Sequence, residues 1–322
     1  MQDGKLEFGV VGLGRMGGNL ALQALEKGLR VVGFTRGNAS AELVKAGLIE
    51  IRALEDFKKS LSSPRPIFLY IPAGPSVDQL LDELAASLEP GDIVVDGGNS
   101  YWGDSLRRYR RLKSRGIHAV DLGTSGGVEG ARHGACFMAG GERDAILRIE
   151  PMLKTLAVDG GYVHAGGPGA GHFTKLVHNG IEFGMLQAIG EGVDLLEHFR
   201  EKLNIAEVLR CWRYGSVIRS WLIDLMEAAY RAEGGVAKVP SYVDDTGEVN
   251  WLINDAMAME VPVPVMAQAV MQLLASRDGQ KQWARAIAMM RHGFGGHAYG
   301  PSAPVKEERA EGRVGDFYRQ EG

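Results

Sequence analysis

The sequence predicts an α/β fold, a doubly wound parallel sheet followed by an all-helical C-terminal domain, on three observations. Short apolar runs alternate with helical stretches through the first half, a glycine-rich loop joins the first run to the first helix, and the strand-like runs cease near residue 168. Strand, helix, strand at this spacing is how parallel sheets read in sequence. The apolar runs are "FGVVGLG", "RVVGFT", "IFLYIP", "DIVVDGG", "IHAVDLGTSGG" and "ACFMAGG", with the helical "LALQALEKG" and "SVDQLLDELAASL" between them. Most of these runs end in glycine or a small polar residue, which puts loops at the carboxyl ends of the strands, where such sheets bind ligands.

The glycine-rich turn "HAGGPGAGH", His164 to His172, marks the domain junction. Helical periodicity then runs from about Gly171 to Phe199, through "AEVLRCWRYGSVIRSWLIDLMEAAY" and "EVNWLINDAMAM", and through "MAQAVMQLLASRDGQKQWARAIAMM" after the breaker "EVPVPV". The organisation expected is residues 1–168 as a dinucleotide-binding domain, 169–304 as a helical substrate and oligomerisation domain, and 305–322 as a charged tail.

Length and composition set bounds on function. A chain of 322 residues exceeds one usual core, so two domains are expected. With 45% hydrophobic and 24% charged residues and a formal net charge of -4, there is no basic excess to suggest nucleic acid. Cys136 and Cys211 form no CxxC pair, and the histidines show no metal-ligand spacing, so neither a disulfide framework nor a metal site is indicated. The N-terminus enters a strand at once, leaving no room for a signal peptide, and no apolar run reaches membrane-spanning length, so a cytoplasmic location is expected. Apolar faces such as "WLIDLMEAAY" and "AVMQLL" point to a homodimer or homotetramer.

In "GLGRMG", Gly12, Gly14 and Gly17 follow a strand and precede a helix, the context that a Rossmann-type dinucleotide fingerprint requires. Gly12 allows the tight turn, Gly14 the approach of backbone to the pyrophosphate, and Gly17 close helix packing. The second strand ends in Thr35 and Arg36, where an acidic residue would select NAD. A guanidinium and a hydroxyl there suit a 2'-phosphate, so NADP is expected rather than NAD; the alternative is a solvated surface arginine.

"DGGNS" and "GTSGG" end two further strands, and their glycines and polar residues, including Asn99 and Ser125, can meet an anion or a hydroxyl. In "HFTKLVHNGIEFG", Lys175, His178, Asn179 and Glu182 stand at i, i+3, i+4 and i+7, the spacing of a core-facing stripe. A lysine on such a stripe can serve as a general base, with Glu182 as the complementary acid. A structural Lys/Glu pair bridging two domains fits the same spacing.

These motifs, with "IPAGPSVD", "GARHGACFMAGG", "VIRS" and "RHGFGGH", resemble the short form of the decarboxylating 6-phosphogluconate dehydrogenases, within the β-hydroxyacid dehydrogenase superfamily. The resemblance implies oxidative decarboxylation of 6-phosphogluconate to ribulose 5-phosphate with reduction of NADP. Lys175 would take the proton of the carbon 3 hydroxyl and then stabilise the enolate oxygen, and Glu182 would protonate carbon 1. It further implies substrate contacts from Asn99, Ser125, Gly126, Gly127, His178, Asn179, Arg219, Arg291 and His297, and cofactor contacts from Gly12, Gly14, Met16, Gly17, Thr35, Arg36 and Asn99. Arg291 and His297 would reach in from a neighbouring subunit.

Three positions depart from the family pattern. Phe183 replaces a tyrosine, Asn250 a lysine or arginine, and Leu252 a threonine, all expected on the phosphate side of the substrate. Losing a cation and two hydroxyls weakens a doubly charged site, so the same reaction on a singly charged aldonate such as 6-sulfogluconate is an alternative expectation. The others are a non-decarboxylating β-hydroxyacid dehydrogenase, against which "HNGIE" argues, and a cofactor-binding scaffold, against which Lys175, Asn179 and Glu182 together argue.

Overall fold

Alternate side chains of a strand leave opposite faces of a sheet, so strands that are apolar throughout must be covered on both sides. In chain order the elements are β1 (Glu7–Val11), α1 (Arg15–Glu26), β2 (Arg30–Phe34), α2 (Ala41–Lys45), β3 (Ile49–Glu50), α3 (Phe57–Ser60), β4 (Pro66–Leu69), α4 (Pro75–Ser87), β5 (Ile93–Asp96), α5 (Trp102–Lys113), β6 (His118–Ser125), α6 (Gly127–His133), β7 (Ala135–Gly141), α7 (Arg143–Leu156) and β8 (Ala157–Gly166). There follow α8 (Ala170–Glu197), α9 (Ile205–Trp212), α10 (Trp221–Glu233), α11 (Glu248–Ala258), α12 (Pro264–Arg277) and α13 (Gln282–Gly295). The structure, a computed structural model, describes residues 6–301 and 303. The tail expected over 305–322 lies outside the described residues.

The strands form one sheet in the order β3-β2-β1-β4-β5-β6-β7-β8. Phe8, Val10, Val31, Phe68, Ile93, Val95, Val120 and Leu122 face one layer, where Leu20 and Ala24 of α1 and Ile146, Ile149 and Leu153 of α7 complete the core. Val11, Val32, Ile67, Leu69 and Val94 face the other, against Val77, Leu81 and Leu84 of α4 and Leu112 of α5. This doubly wound α/β arrangement is the expected one, with one local exception: β7 runs antiparallel to β6. Only residues 126–134 join those two strands, too short a span for a parallel crossover.

Other differences lie where pattern is weak. The edge strand β3, Ile49–Glu50, and β8, which reaches Gly166 in the stretch read as a glycine turn, are additional to the six expected runs. The long helical patterns at 206–230 and 266–290 are each split into two helices, with the breaks at residues 213–220 and 278–281.

The chain divides into two compact units, Met1–Ile181 with Gly247–Val261 and Glu182–Thr246 with Pro262–Gly322. Within the first, α11 is tied by buried Asp255, whose carboxylate accepts from Tyr101 Oη at 2.8 Å and Trp102 Nε1 at 2.7 Å. Within the second, Val193, Ile205 and Leu209 form a small core. Arg213 pairs there with Asp224 and Glu227 at 2.8 and 2.7 Å, bracing α10 against the turn after α9. Among the described residues no helix is long and apolar enough to cross a membrane.

Candidate active site

The β1–α1 loop fits a dinucleotide pyrophosphate. Gly12 adopts φ +93°, and a Cβ there would lie 2.3 Å from the Tyr70 carbonyl oxygen. A Cβ on Gly17 would lie 2.0 Å from the Gly12 carbonyl oxygen, so helix and loop touch without a side chain between them. At Gly14 an added Cβ meets nothing within 4 Å, which leaves that backbone open to a ligand. The start of α1 carries no side-chain cap, so its N–H groups and positive dipole end are available to an anion. Met16 is half-buried in the first turn.

Thr35 and Arg36 follow β2 directly, Thr35 half-buried and Arg36 exposed. Among the described residues Arg36 makes no ion pair, whereas nearby Arg52 is bonded to Asn38 at 2.9 Å. Glu50 accepts from the Ala39 N–H at 2.9 Å, which helps to fix this loop.

The "DGGNS" loop after β5 is shaped by its own aspartate. Asp96 accepts from the Gly98 N–H at 3.1 Å and from Ser100 Oγ at 2.8 Å. Buried Arg108 of α5 reaches Asp96 at 3.3 Å, Ser100 at 3.1 Å and the Gly74 carbonyl at 3.1 Å, linking this loop to the start of α4. Asn99 projects from the loop, and its amide nitrogen donates to Glu248 of α11 at 2.6 Å. Sequence reading missed Glu248, because the contact depends on a helix distant in the chain.

β6 and the first turns of α8 bring the polar stripe of the helix against the strand. Gly126 and Gly127 take φ +111° and +59°, turning the chain at the end of β6 into α6. Ser125 Oγ lies 3.0 Å from His178 Nε2, Lys175 Nζ lies 3.3 Å from His178 Nδ1, and the Lys175 ammonium donates to Asn179 Oδ1 at 2.7 Å. A Cβ on Gly123 would lie 2.6 Å from Lys175 Cβ, so the lysine stem packs on bare strand backbone. Asn179 is buried and Lys175 and His178 are half-buried.

This arrangement can move a proton. When the amine is protonated and donates to His178 Nδ1, Nε2 carries the ring hydrogen and donates to Ser125, whose hydroxyl hydrogen can then serve a ligand oxygen. When it is neutral, its lone pair can accept a hydroxyl proton from a substrate.

Sequence reasoning also missed Asp121, which is 5% exposed in the middle of β6. Its oxygens accept from the Gly169 N–H at 2.6 Å and the His172 N–H at 2.8 Å, at the start of α8. Burial pushes its carboxyl above the usual aspartate range. The signal was a charged residue inside an apolar strand, "AVDLG".

The remaining expected residues belong to the second unit. Glu182 is half-buried in α8, Arg219 is exposed in the turn before α10, Arg291 is exposed in α13, and His297 is half-buried just after it. Phe183, also in the second unit, is half-buried, whereas Asn250 and Leu252 lie on α11 of the first unit, Asn250 exposed and Leu252 only 5% exposed. Position 252 is therefore a packing position.

Residues 7–166 match the NAD binding domain of 6-phosphogluconate dehydrogenase, and residues 171–306 match the C-terminal domain of 6-phosphogluconate dehydrogenase. The chain is 39% identical to YqeC of Bacillus subtilis strain 168, a protein provisionally named a 6-phosphogluconate dehydrogenase, over 91% of this chain and 99% of that one. It is 37% identical to the NAD(+)-dependent, decarboxylating 6-phosphogluconate dehydrogenase of Haloferax volcanii, over 91% and 98% of the two chains. The solved Plasmodium falciparum 6-phosphogluconate dehydrogenase, studied in apo form, with NADP+ and with 6-phosphogluconate, superposes with a TM-score of 0.77. That match is at 26% identity and covers 94% of this chain and 68% of the other. Matched in both halves, and by relatives of its own length, the chain belongs to the 6-phosphogluconate dehydrogenase family.

Proposed function

We propose that this enzyme oxidises and decarboxylates 6-phosphogluconate to ribulose 5-phosphate, with NADP as the acceptor. The observation that carries the reading is the Lys175 amine, held by Asn179 and His178 against β6, beside a serine hydroxyl and two turn glycines. Residues 1–168 serve as the cofactor domain, and residues 169–304 contribute the substrate and oligomer surfaces, in keeping with the two family matches.

A bound nicotinamide would supply the acceptor for the hydride that leaves carbon 3. Lys175 takes the proton of the carbon 3 hydroxyl as the carbonyl forms. The carbon 1 carboxylate then leaves as carbon dioxide, and its electron pair moves into the carbonyl, whose oxygen the Lys175 ammonium stabilises and protonates. Glu182 returns a proton to the carbon that becomes carbon 1 of the product. Ser125, His178, Asn179 and Asn99 orient the hydroxyls and the carboxylate, with the Gly126 and Gly127 backbone beside them. Gly12, Gly14, Gly17 and Met16 hold the cofactor, and Arg219, Arg291 and His297 take the substrate phosphate.

NADP preference rests on Thr35 and Arg36; the Haloferax volcanii relative is NAD(+)-dependent, so both cofactors belong in the assay. We place the enzyme in the cytoplasm, in keeping with its free cysteines Cys136 and Cys211, as a homodimer or homotetramer. Trp221, Trp283 and Phe294, exposed by 51, 62 and 76%, support association. A second reading, the same reaction on 6-sulfogluconate, is favoured by Phe183 and Asn250.

Steady-state kinetics with 6-phosphogluconate, 6-sulfogluconate and gluconate, with NADP or NAD and with carbon dioxide quantified, tests this. The expected result is the highest kcat/KM for 6-phosphogluconate with one carbon dioxide per NADPH. Oxidation without carbon dioxide release would sink the decarboxylating reading, and a preference for the sulfonate would replace the substrate.

A further inference from the structure

The segment that opens α8 reads "GGPGAGH", Gly166 to His172, and offers no side chain able to cap a helix. Pro168 and Gly169 stand where serine, threonine, aspartate or asparagine would accept the first N–H groups. The acceptors come from elsewhere: Asp121 of β6 takes the Gly169 N–H at 2.6 Å and the His172 N–H at 2.8 Å. The cap is thus built in trans, by a carboxylate on the strand that the helix packs against.

Three further observations describe how closely the helix and the strand meet at this contact. Gly140 and Gly171 let the backbones meet: a Cβ on Gly140 would sit 2.7 Å from either Asp121 carboxylate oxygen, and one on Gly171 would sit 2.3 Å from the Asp121 carbonyl oxygen. Asp121, Gly123 and Ser125 alternate along β6 and meet α8 at successive turns, Asp121 at Gly169 and His172, Gly123 at Lys175, and Ser125 at His178. From α5, Ser105 Oγ lies 2.7 Å from His172 Nδ1 and adds a second tether to the same turn.

We infer that Asp121 is a positioning residue for catalysis: by capping α8 from β6 it fixes the height of Lys175 over the end of the strand. The inference rests on the reading of Lys175 as the proton carrier. A lysine whose stem lies on Gly123 can reach the reacting hydroxyl only if the helix is held at that level. A displacement of about 1 Å is enough to cost about 100-fold in rate.

The test uses Asp121→Asn and Gly140→Ala in the full-length enzyme. Asparagine keeps one acceptor and turns a donor toward a backbone N–H. The alanine methyl leaves the charge in place and presses on the same contact. Both variants should lower kcat by roughly 10- to 100-fold, with KM for 6-phosphogluconate and Kd for NADP each within about threefold of wild type. Hydrogen exchange at the Gly169 and His172 amides should accelerate in Asp121→Asn, a readout independent of turnover.

Faster exchange with unchanged kcat would overturn the positioning role, and unchanged exchange would overturn the cap itself. Equal losses in kcat, substrate KM and cofactor affinity in folded protein would reduce Asp121 to a structural part and also overturn the proposal. Failure of the wild-type enzyme to turn over any aldonate would refute the proposed function instead, and the exchange measurement would still report on the cap.

Discussion

One methyl group, added at Gly14 or at Gly17 where β1 passes into α1, should have opposite consequences. At Gly17 a Cβ would stand 2.0 Å from the Gly12 carbonyl oxygen and 2.9 Å from Tyr70 Cβ. Ordinary contact begins near 3.4 Å, so α1 would have to retreat from its loop by more than an ångström. Overpacking of this kind costs about 1–3 kcal/mol, and more when the opposing atom is backbone. At Gly14 the same methyl meets nothing within 4 Å, and the residue's φ of -77° and ψ of -160° suit alanine. Gly14 is the N-cap of α1, where alanine is the poorer residue by roughly 0.5–1 kcal/mol.

Gly14→Ala should therefore melt close to wild type but bind cofactor poorly, because the methyl occupies the space that the pyrophosphate requires. Each charge-assisted bond lost is worth about 1.5–3 kcal/mol, or roughly a 10- to 150-fold rise in Kd. Gly17→Ala should lose stability first. Thermal unfolding without ligand and calorimetric titration with NADP separate the two effects. Wild-type affinity in Gly14→Ala would show that the pyrophosphate does not lie against this backbone. A wild-type melting temperature in Gly17→Ala would show that the loop is more yielding than its geometry implies.

Lys175→Met should abolish both oxidation and decarboxylation while changing NADP affinity little; wild-type-like turnover would remove Lys175 from the mechanism. Arg36→Ala should raise Kd for NADP about tenfold and leave that for NAD nearly unchanged, given one charge-assisted pair at an exposed position. An unaltered NADP to NAD ratio would count against the reading of the β2 end. Arg107 first and Arg108 second hold the Asp78 carboxyl well below the usual aspartate range. Because the folded-state value is depressed, that stabilisation is present above the ordinary aspartate value and is lost as pH falls through the folded one. Urea unfolding across acidic pH should show Asp78→Asn less stable than wild type near neutrality and flatter toward acid; parallel curves would assign the acid limb to other carboxylates.

How much of the molecule could be read in advance follows from the range of each interaction. Strands such as β1, β4 and β5 and the stripe Lys175, His178, Asn179 were legible, because periods of about 2 and 3.6 are local properties of a chain. The edge strand β3 and the whole of β8 were not: two residues carry no period, and "VDGG" lacks the apolar signature of a covered strand. The break between α9 and α10 was also invisible, since apolar residues continue in helical phase through the turn at 213–220.

At the site, sequence alone determined the residue types and the face on which they stand. The glycine loop, the lysine with its histidine and asparagine neighbours, and the Thr35–Arg36 pair are all local patterns. Tertiary structure decided what each of them meets. Ser125 comes to His178, Gly123 to Lys175, Glu248 to Asn99, and Asp121 to the start of α8 across long stretches of chain. Such partners are chosen by the packing of strand on helix, and the buried charge of Asp121 finds its donors only once those backbones have closed on one another.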